Sequence, residues 1–144
     1  MFRLHEGQIY QWKQRGGHLH FITIDIEKHV IILFGIMRIE YKDKRLQQCA
    51  KDPRAAKRFL GTLALSFLMR IELIDKATSF EDLRFMLGKF HELTGNRQGQ
   101  WSASLNANYR LILTPKDKPF MDESGRIDWT KSTEAVIIEI ADYH

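Results

Sequence analysis

Between residues 54 and 77 the apolar side chains Leu60, Leu63, Ala64, Phe67, Leu68, Ile71 and Ile74 recur every three or four positions, and after Gly88 that period gives way to short alternating runs. The first pattern paints one apolar stripe along a helix, and the second paints one apolar face on each strand. Neither surface is stable in water alone. A chain in which helices come first and strands follow has to lay the helices against one face of a largely antiparallel sheet, which is an α+β fold.

Local signals sharpen this order. Asp52-Pro53 suits an N-cap and first helical residue, because proline there gives up no hydrogen bond. Residues 43–51 form a shorter helix before it, so the pair makes a helical hairpin. Gly61, inside the long periodic run, costs about 1 kcal/mol relative to alanine, which implies close packing at that point. Ser79-Phe-Glu-Asp82 reads as a capping box that opens one more turn, ending at Gly88. Strands are expected at 89–93, 100–105, 109–114 and 135–140, with Asn106-Ala-Asn108 as a hairpin turn and the polar stretch 115–134 as a decorated hairpin or a flap.

The chain of 144 residues has room for one main core. Residues 37–144 carry all the motifs described below. Residues 1–36, strand-like at 18–26 and 30–41 with a Gly16-Gly17 turn, are expected to be an N-terminal extension. It either adds a strand or hairpin at an edge of the sheet or precedes the true start at Met37. The apolar run Val30-Ile-Ile-Leu-Phe34 is far shorter than the ~20 residues a spanning helix requires, and its charged flank does not fit an export signal. The single Cys49 excludes an internal disulfide and suits a reducing compartment, so a cytoplasmic protein is expected.

Charge is unevenly spread. Residues 54–110 hold nine Lys+Arg against five Asp+Glu, whereas 115–144 hold four against seven. A basic middle suits a polyanion such as RNA, and solvated helix faces would look the same. His18 and His20 would share a strand face, but no further ligand completes a metal site near them, so no metal is expected. No phosphate-binding glycine loop and no nucleophile elbow occurs, which argues against nucleotide and acyl hydrolases.

Three segments bring together the groups needed to cut RNA without a cofactor. They are Lys89-Phe-His-Glu-Leu-Thr-Gly-Asn-Arg-Gln-Gly-Gln-Trp101, Asn108-Tyr-Arg-Leu-Ile112 and Glu139-Ile-Ala-Asp-Tyr-His144. In order and spacing they resemble the RelE/ParE toxin superfamily, specifically the HigB-like plasmid-maintenance killer proteins, over residues 37–144. The resemblance implies a compact RelE-like antiparallel sheet packed against an N-terminal helical hairpin. It also implies a toxin of a type II toxin–antitoxin pair that enters the ribosomal A site and cuts translated mRNA. A HigA-like helix-turn-helix antitoxin would neutralise it, and operator DNA would be reached only through that antitoxin.

The resemblance also implies roles. His91 would be the first choice for proton transfer, with His144 as a second proton-transfer or phosphate group and Tyr143 orienting or stacking on a base. Arg110 would clamp the scissile phosphate, or else form a salt bridge to Glu139 or Asp142. Lys89, Asn96 and Arg97 would contact the RNA backbone, although the 95–99 turn also serves simply to join strands. Trp101 is expected in the core. Many HigB toxins carry Lys where this chain has Thr94, which leaves Arg97, Lys89 or Arg110 to supply that charge. Two other readings share the fold: a ParE-like inhibitor of gyrase that cuts no RNA, and a degenerate toxin.

Overall fold

The computed structural model describes residues 37–143 in full and, within residues 1–36, the backbone of four strands. These are β1 (Phe2–His5), β2 (Gln8–Arg15), β3 (His18–Asp25) and β4 (Val30–Leu33), which pair antiparallel in the order β1-β2-β3-β4. They form a sheet of their own rather than an edge of the second sheet. His18 and His20 lie on β3, but their side chains, the Gly16-Gly17 turn and the question of the start codon lie outside the described residues.

Met37–His144 is a separate compact unit. It opens with β5 (Arg38–Tyr41), passes through α1 (Lys44–Lys51), α2 (Pro53–Leu60), α3 (Ala64–Lys76) and the single turn α4 (Phe80–Leu83), then runs into β6 (His91–Glu92), β7 (Trp101–Ser104), β8 (Tyr109–Pro115) and β9 (Glu134–Asp142). The sheet order is β5-β9-β8-β7-β6, antiparallel throughout except that β5 lies parallel to β9. A parallel pair requires a long crossover, and the four helices and three strands between β5 and β9 supply it.

Capping chemistry sets the helix ends as the sequence suggests. Asp43 and Asp52 accept from the backbone N–H groups of Arg45 (2.7 Å) and Arg54 (2.9 Å), and Pro53 is the first residue of α2. The periodic run is two helices and not one, because Gly61 ends α2 at φ 54° and a short 3-10 turn, Gly61–Leu63, leads into α3. A Cβ at Gly61 would meet nothing within 4 Å, so this glycine is there for its backbone angle and the expected close packing is absent. The capping box is also only half built. Asp82 accepts from the backbone N–H of Thr78 (2.9 Å) and from its hydroxyl, while the buried Ser79 side chain makes no cap bond.

Helices cover one face of the sheet. Phe67, Ile71 and Ile74 of α3, Leu46 and Cys49 of α1 and Ala56 of α2 pack with Ile39, Trp101, Ala103, Leu111, Leu113 and Ile137. Residues 115–134 are a decorated β8–β9 hairpin, tied down by Trp129. Its ring stacks edge-on to Trp101 at 5.2 Å, and its Nε1 donates to Glu92 at 3.2 Å. Among the described residues no helix is long and apolar enough to cross a membrane.

One close approach holds the helices to the strand edge. Arg70 of α3 donates from Nε to the carbonyl of Ser104 (2.9 Å), and the Ser104 N–H donates to the carbonyl of Gly88 (2.7 Å). Burial disfavours the Arg70 charge and lowers its pKa. A Cβ at Gly88 would sit 2.3 Å from Arg70 Nε, at a backbone φ of 114°. Gly88→Ala is therefore expected to destabilise the protein by roughly 1–3 kcal/mol. Urea unfolding measures this, and an unchanged midpoint would show that the helix and strand edge are not wedged together here.

Candidate functional site

Side chains along a strand alternate between faces, so the residues between the core positions form a second face, turned away from the helices. The register lines them up. His91 of β6 stands opposite Ser102 of β7, Ser102 opposite Ile112 of β8, and Ile112 opposite Glu139 of β9. The next row holds Ser104, Arg110 and Ala141. Tyr143 follows Ala141 two residues on and so continues this face beyond the end of β9. Strands two apart are roughly 10 Å apart, a gap that long side chains such as Arg110 and a bound nucleotide can bridge.

The sequence candidates divide on this face. His91 is exposed, with Nδ1 2.8 Å from the Lys89 carbonyl and Nε2 3.3 Å from Ser102 Oγ. Lys89 is exposed and is the one non-glycine residue with positive φ, at 54°, among the described residues. Arg110 turns Nη1 onto the hairpin carbonyls of Asn106 (2.6 Å) and Tyr109 (3.1 Å), and its guanidinium lies 5.9 Å from the Tyr143 ring. Of the two carboxylates named as alternative partners for Arg110, Glu139 is taken by Arg97 at 2.7 Å, whose other Nη donates to Gln100 at 3.0 Å.

The terminal segment is pinned rather than frayed. The backbone N–H of Tyr143 donates to the Asn108 carbonyl at 2.7 Å, which holds the 47% exposed phenol beside Arg110. His144 lies outside the described residues. Asn96 and Thr94 are both exposed on the turn around Gly95–Arg97, and Thr94 brings no charge. Trp101 is fully buried on the opposite face, as expected.

Sequence reasoning passed over Ser102 and Arg70, and it set Glu139 beside Arg110 where Arg97 is the partner. Ser102, 1% exposed, is one of two serines that alternate with Trp101 and Ala103 in β7, and only the strand pairing reveals that it lies opposite His91. Glu139 is the one carboxylate within residues 135–141 of β9, and such a placement signals a partner. Arg70 was hidden on the helix, 34 residues from the Ser104 carbonyl it holds. Together, the second face presents one exposed imidazole, one phenol and two guanidiniums around the buried Ser102 and Ile112. A small cleft lined by Asp117, Phe120 and Lys131 lies in the 117–134 region and not among these groups.

Residues 39–123 match the family described as "RelE-like toxin of type II toxin-antitoxin system HigB". The chain is 34% identical over 78 residues to Toxin HigB-1 of Vibrio cholerae serotype O1, a match covering 54% of this chain and 82% of that protein. It is 40% identical over 44 residues to Endoribonuclease HigB of Proteus vulgaris, covering 31% of this chain and 48% of that protein. Among solved structures it is similar to a YoeB/ParE toxin from Agrobacterium tumefaciens, with a TM-score of 0.44, 15% identity, and coverage of 75% of this chain and 99% of the other.

Proposed function

Because the chain belongs to the HigB-like family, the RelE-like toxins of type II toxin–antitoxin systems, we propose that it is an endoribonuclease that cuts mRNA on the ribosome, through His91, Arg110 and Tyr143. The observation that carries this reading is that these three side chains share one helix-free face of the sheet. One of them is an exposed imidazole whose two nitrogens are both held. The family membership is supported further by the relative named an endoribonuclease.

The chemistry follows from what RNA offers. The 2′-oxygen attacks the adjacent phosphorus, its proton goes to a base, the P–O5′ bond breaks, and an acid protonates the departing O5′. The products are a 2′,3′-cyclic phosphate and a 5′-hydroxyl. Imidazole suits either proton role near neutral pH. A guanidinium stabilises the extra charge on the phosphorane in a geometry lysine cannot reproduce. Arg110 would exchange its hairpin carbonyls for phosphate oxygens, with Tyr143 as the surface on which a base stacks. His144 would join them as the second proton carrier. Lys89, Asn96 and Arg97 would follow the RNA backbone, with Arg97 released from Glu139 as it does so. The charge absent at Thr94 would then be supplied by Lys89.

A second basic surface fits the ribosomal setting. Lys44, Arg45, Lys51, Arg54, Lys57 and Arg58 on α1 and α2 pair with no carboxylate among the described residues. Arg45 and Arg58 flank the half-exposed Phe59 at 5.5 and 4.8 Å. As a member of a toxin–antitoxin family the chain has an antitoxin partner. We take that partner to be a HigA-like helix-turn-helix protein that neutralises the toxin in the cytoplasm and alone contacts operator DNA.

A translating extract tests the nuclease reading. An mRNA carrying a single 2′-deoxynucleotide at the cleavage position should remain whole there, while the all-ribose message is cut and its downstream fragment begins with a 5′-hydroxyl. Cleavage at the deoxy position would rule out 2′-oxygen attack. Messages that stay whole while cells show a DNA-damage response would point to the gyrase-inhibiting alternative.

A further inference from the structure

We propose that the proton His91 exchanges with RNA moves at Nε2 and not at Nδ1, and that Ser102 is the positioning residue that makes this so. The idea rests on the nuclease reading above. It begins with Lys89, whose backbone stands at φ 54°, a region that non-glycine residues rarely adopt. Its carbonyl oxygen lies 2.8 Å from His91 Nδ1. A carbonyl oxygen only accepts, so Nδ1 carries its hydrogen in both the neutral and the charged ring. The nitrogen left to gain and lose a proton is then Nε2.

Nε2 faces a different kind of partner. Ser102 Oγ lies 3.3 Å away, on a residue that is 1% exposed and fixed opposite His91 by strand pairing. A hydroxyl both donates and accepts. It donates to the lone pair of neutral Nε2 and, after rotating, accepts from the N–H of the imidazolium. The ring therefore gains and loses a proton at Nε2 without leaving a buried polar atom unpaired in either state. Nε2 has one position for a partner, so the RNA oxygen takes the place of the Ser102 hydroxyl at this 3.3 Å contact, and the proton leaves O2′ or reaches O5′ through this nitrogen.

The charged groups that share this face are Arg110 from β8 and the Arg97–Glu139 pair, which reaches from the 95–97 turn to β9, with Lys89 on the ring's own segment. The carbonyl and the hydroxyl make the choice. The arrangement selects the tautomer opposite to the one free histidine favours in water.

The ring nitrogens of the ¹⁵N-labelled full chain report this directly. With His91 neutral, and its signals assigned by their loss in His91→Gln, Nδ1 should show the shift of a protonated nitrogen and Nε2 that of a bare one. Ser102→Ala should move population toward the Nε2–H tautomer. It should also lower kcat by roughly three- to tenfold at unchanged KM, the effect of one lost hydrogen bond. Ser102→Thr, which keeps the hydroxyl, should restore both. A wild-type ring protonated at Nε2 overturns the proposal. So does a Ser102→Ala protein that cuts as fast as wild type while His91→Ala does not cut, an outcome that leaves the nuclease reading standing. Wild-type protein that shows the expected tautomer but leaves translated RNA whole overturns the nuclease reading, and the assigned role falls with it.

Discussion

His91→Ala should slow mRNA cleavage by about 10²- to 10⁴-fold, the range by which a positioned acid or base accelerates proton transfer, while barely changing the unfolding midpoint. The two halves of this expectation have separate physical causes. The rate falls because neither side chain left beside the RNA replaces an imidazole: a guanidinium offers no acceptor, and a phenol is a much weaker proton carrier near neutral pH. Stability barely changes because His91 is exposed and makes two polar contacts, one of them long at 3.3 Å. Removing the ring also opens Ser102 Oγ to water, so no hydroxyl is left buried and unpaired. The cost should stay within about 1 kcal/mol.

Primer extension on a translated message gives the rate, and urea unfolding gives the stability. A His91→Ala protein that cuts at the wild-type rate would remove the imidazole from the mechanism. The reading would then shift to the Arg110–Tyr143 pair. A variant that still arrests growth while messages stay whole would speak for a toxin that works by binding alone. If growth is normal even with the wild-type chain, the degenerate reading, prompted by Thr94, gains ground.

What the sequence shows about this protein depends on how far apart the cooperating residues lie. The order of helices and strands is plain because periodicity is local: the stripe from Ala64 to Ile74 falls within α3, and the buried positions of β7 and β8 fall within single strands. The break at Gly61 is not plain, since a φ of 54° leaves no mark on the pattern of apolar residues, which runs on through it. The parallel β5–β9 pair is equally hidden, because it joins residues some 96 positions apart in the Arg38–Glu134 register. The candidate groups His91, Arg110 and Tyr143 stand out by type and motif. Their company does not. Arg97 meets Glu139 across 42 residues, and Arg70 meets the Ser104 carbonyl across 34.

The second large expectation concerns the residue next to Ser102. Trp101→Ala should cost about 3–5 kcal/mol, as deletion of a fully buried indole does, and lower the urea midpoint by roughly 2 M. Trp101 has no exposed surface. It stacks edge-on against Phe80 at 5.6 Å and Trp129 at 5.2 Å, and carries the Arg84 guanidinium 4.8 Å over its ring. Its loss removes the contact that ties α4, the β8–β9 excursion and β7 together. Trp101→Phe should be much milder, because the indole Nε1 is buried without a hydrogen-bond partner among the described residues and its removal breaks no bond. Neighbouring strand residues face opposite ways, so the indole that enters the core also turns Ser102 toward His91. A one-residue slip of β7 would bury the wrong side chain and strip the imidazole of its partner. Activity and midpoint should therefore fall together in Trp101→Ala, where in His91→Ala only the activity falls. A Trp101→Ala protein that keeps its midpoint but loses cleavage would show that the indole touches RNA and does not anchor the strand.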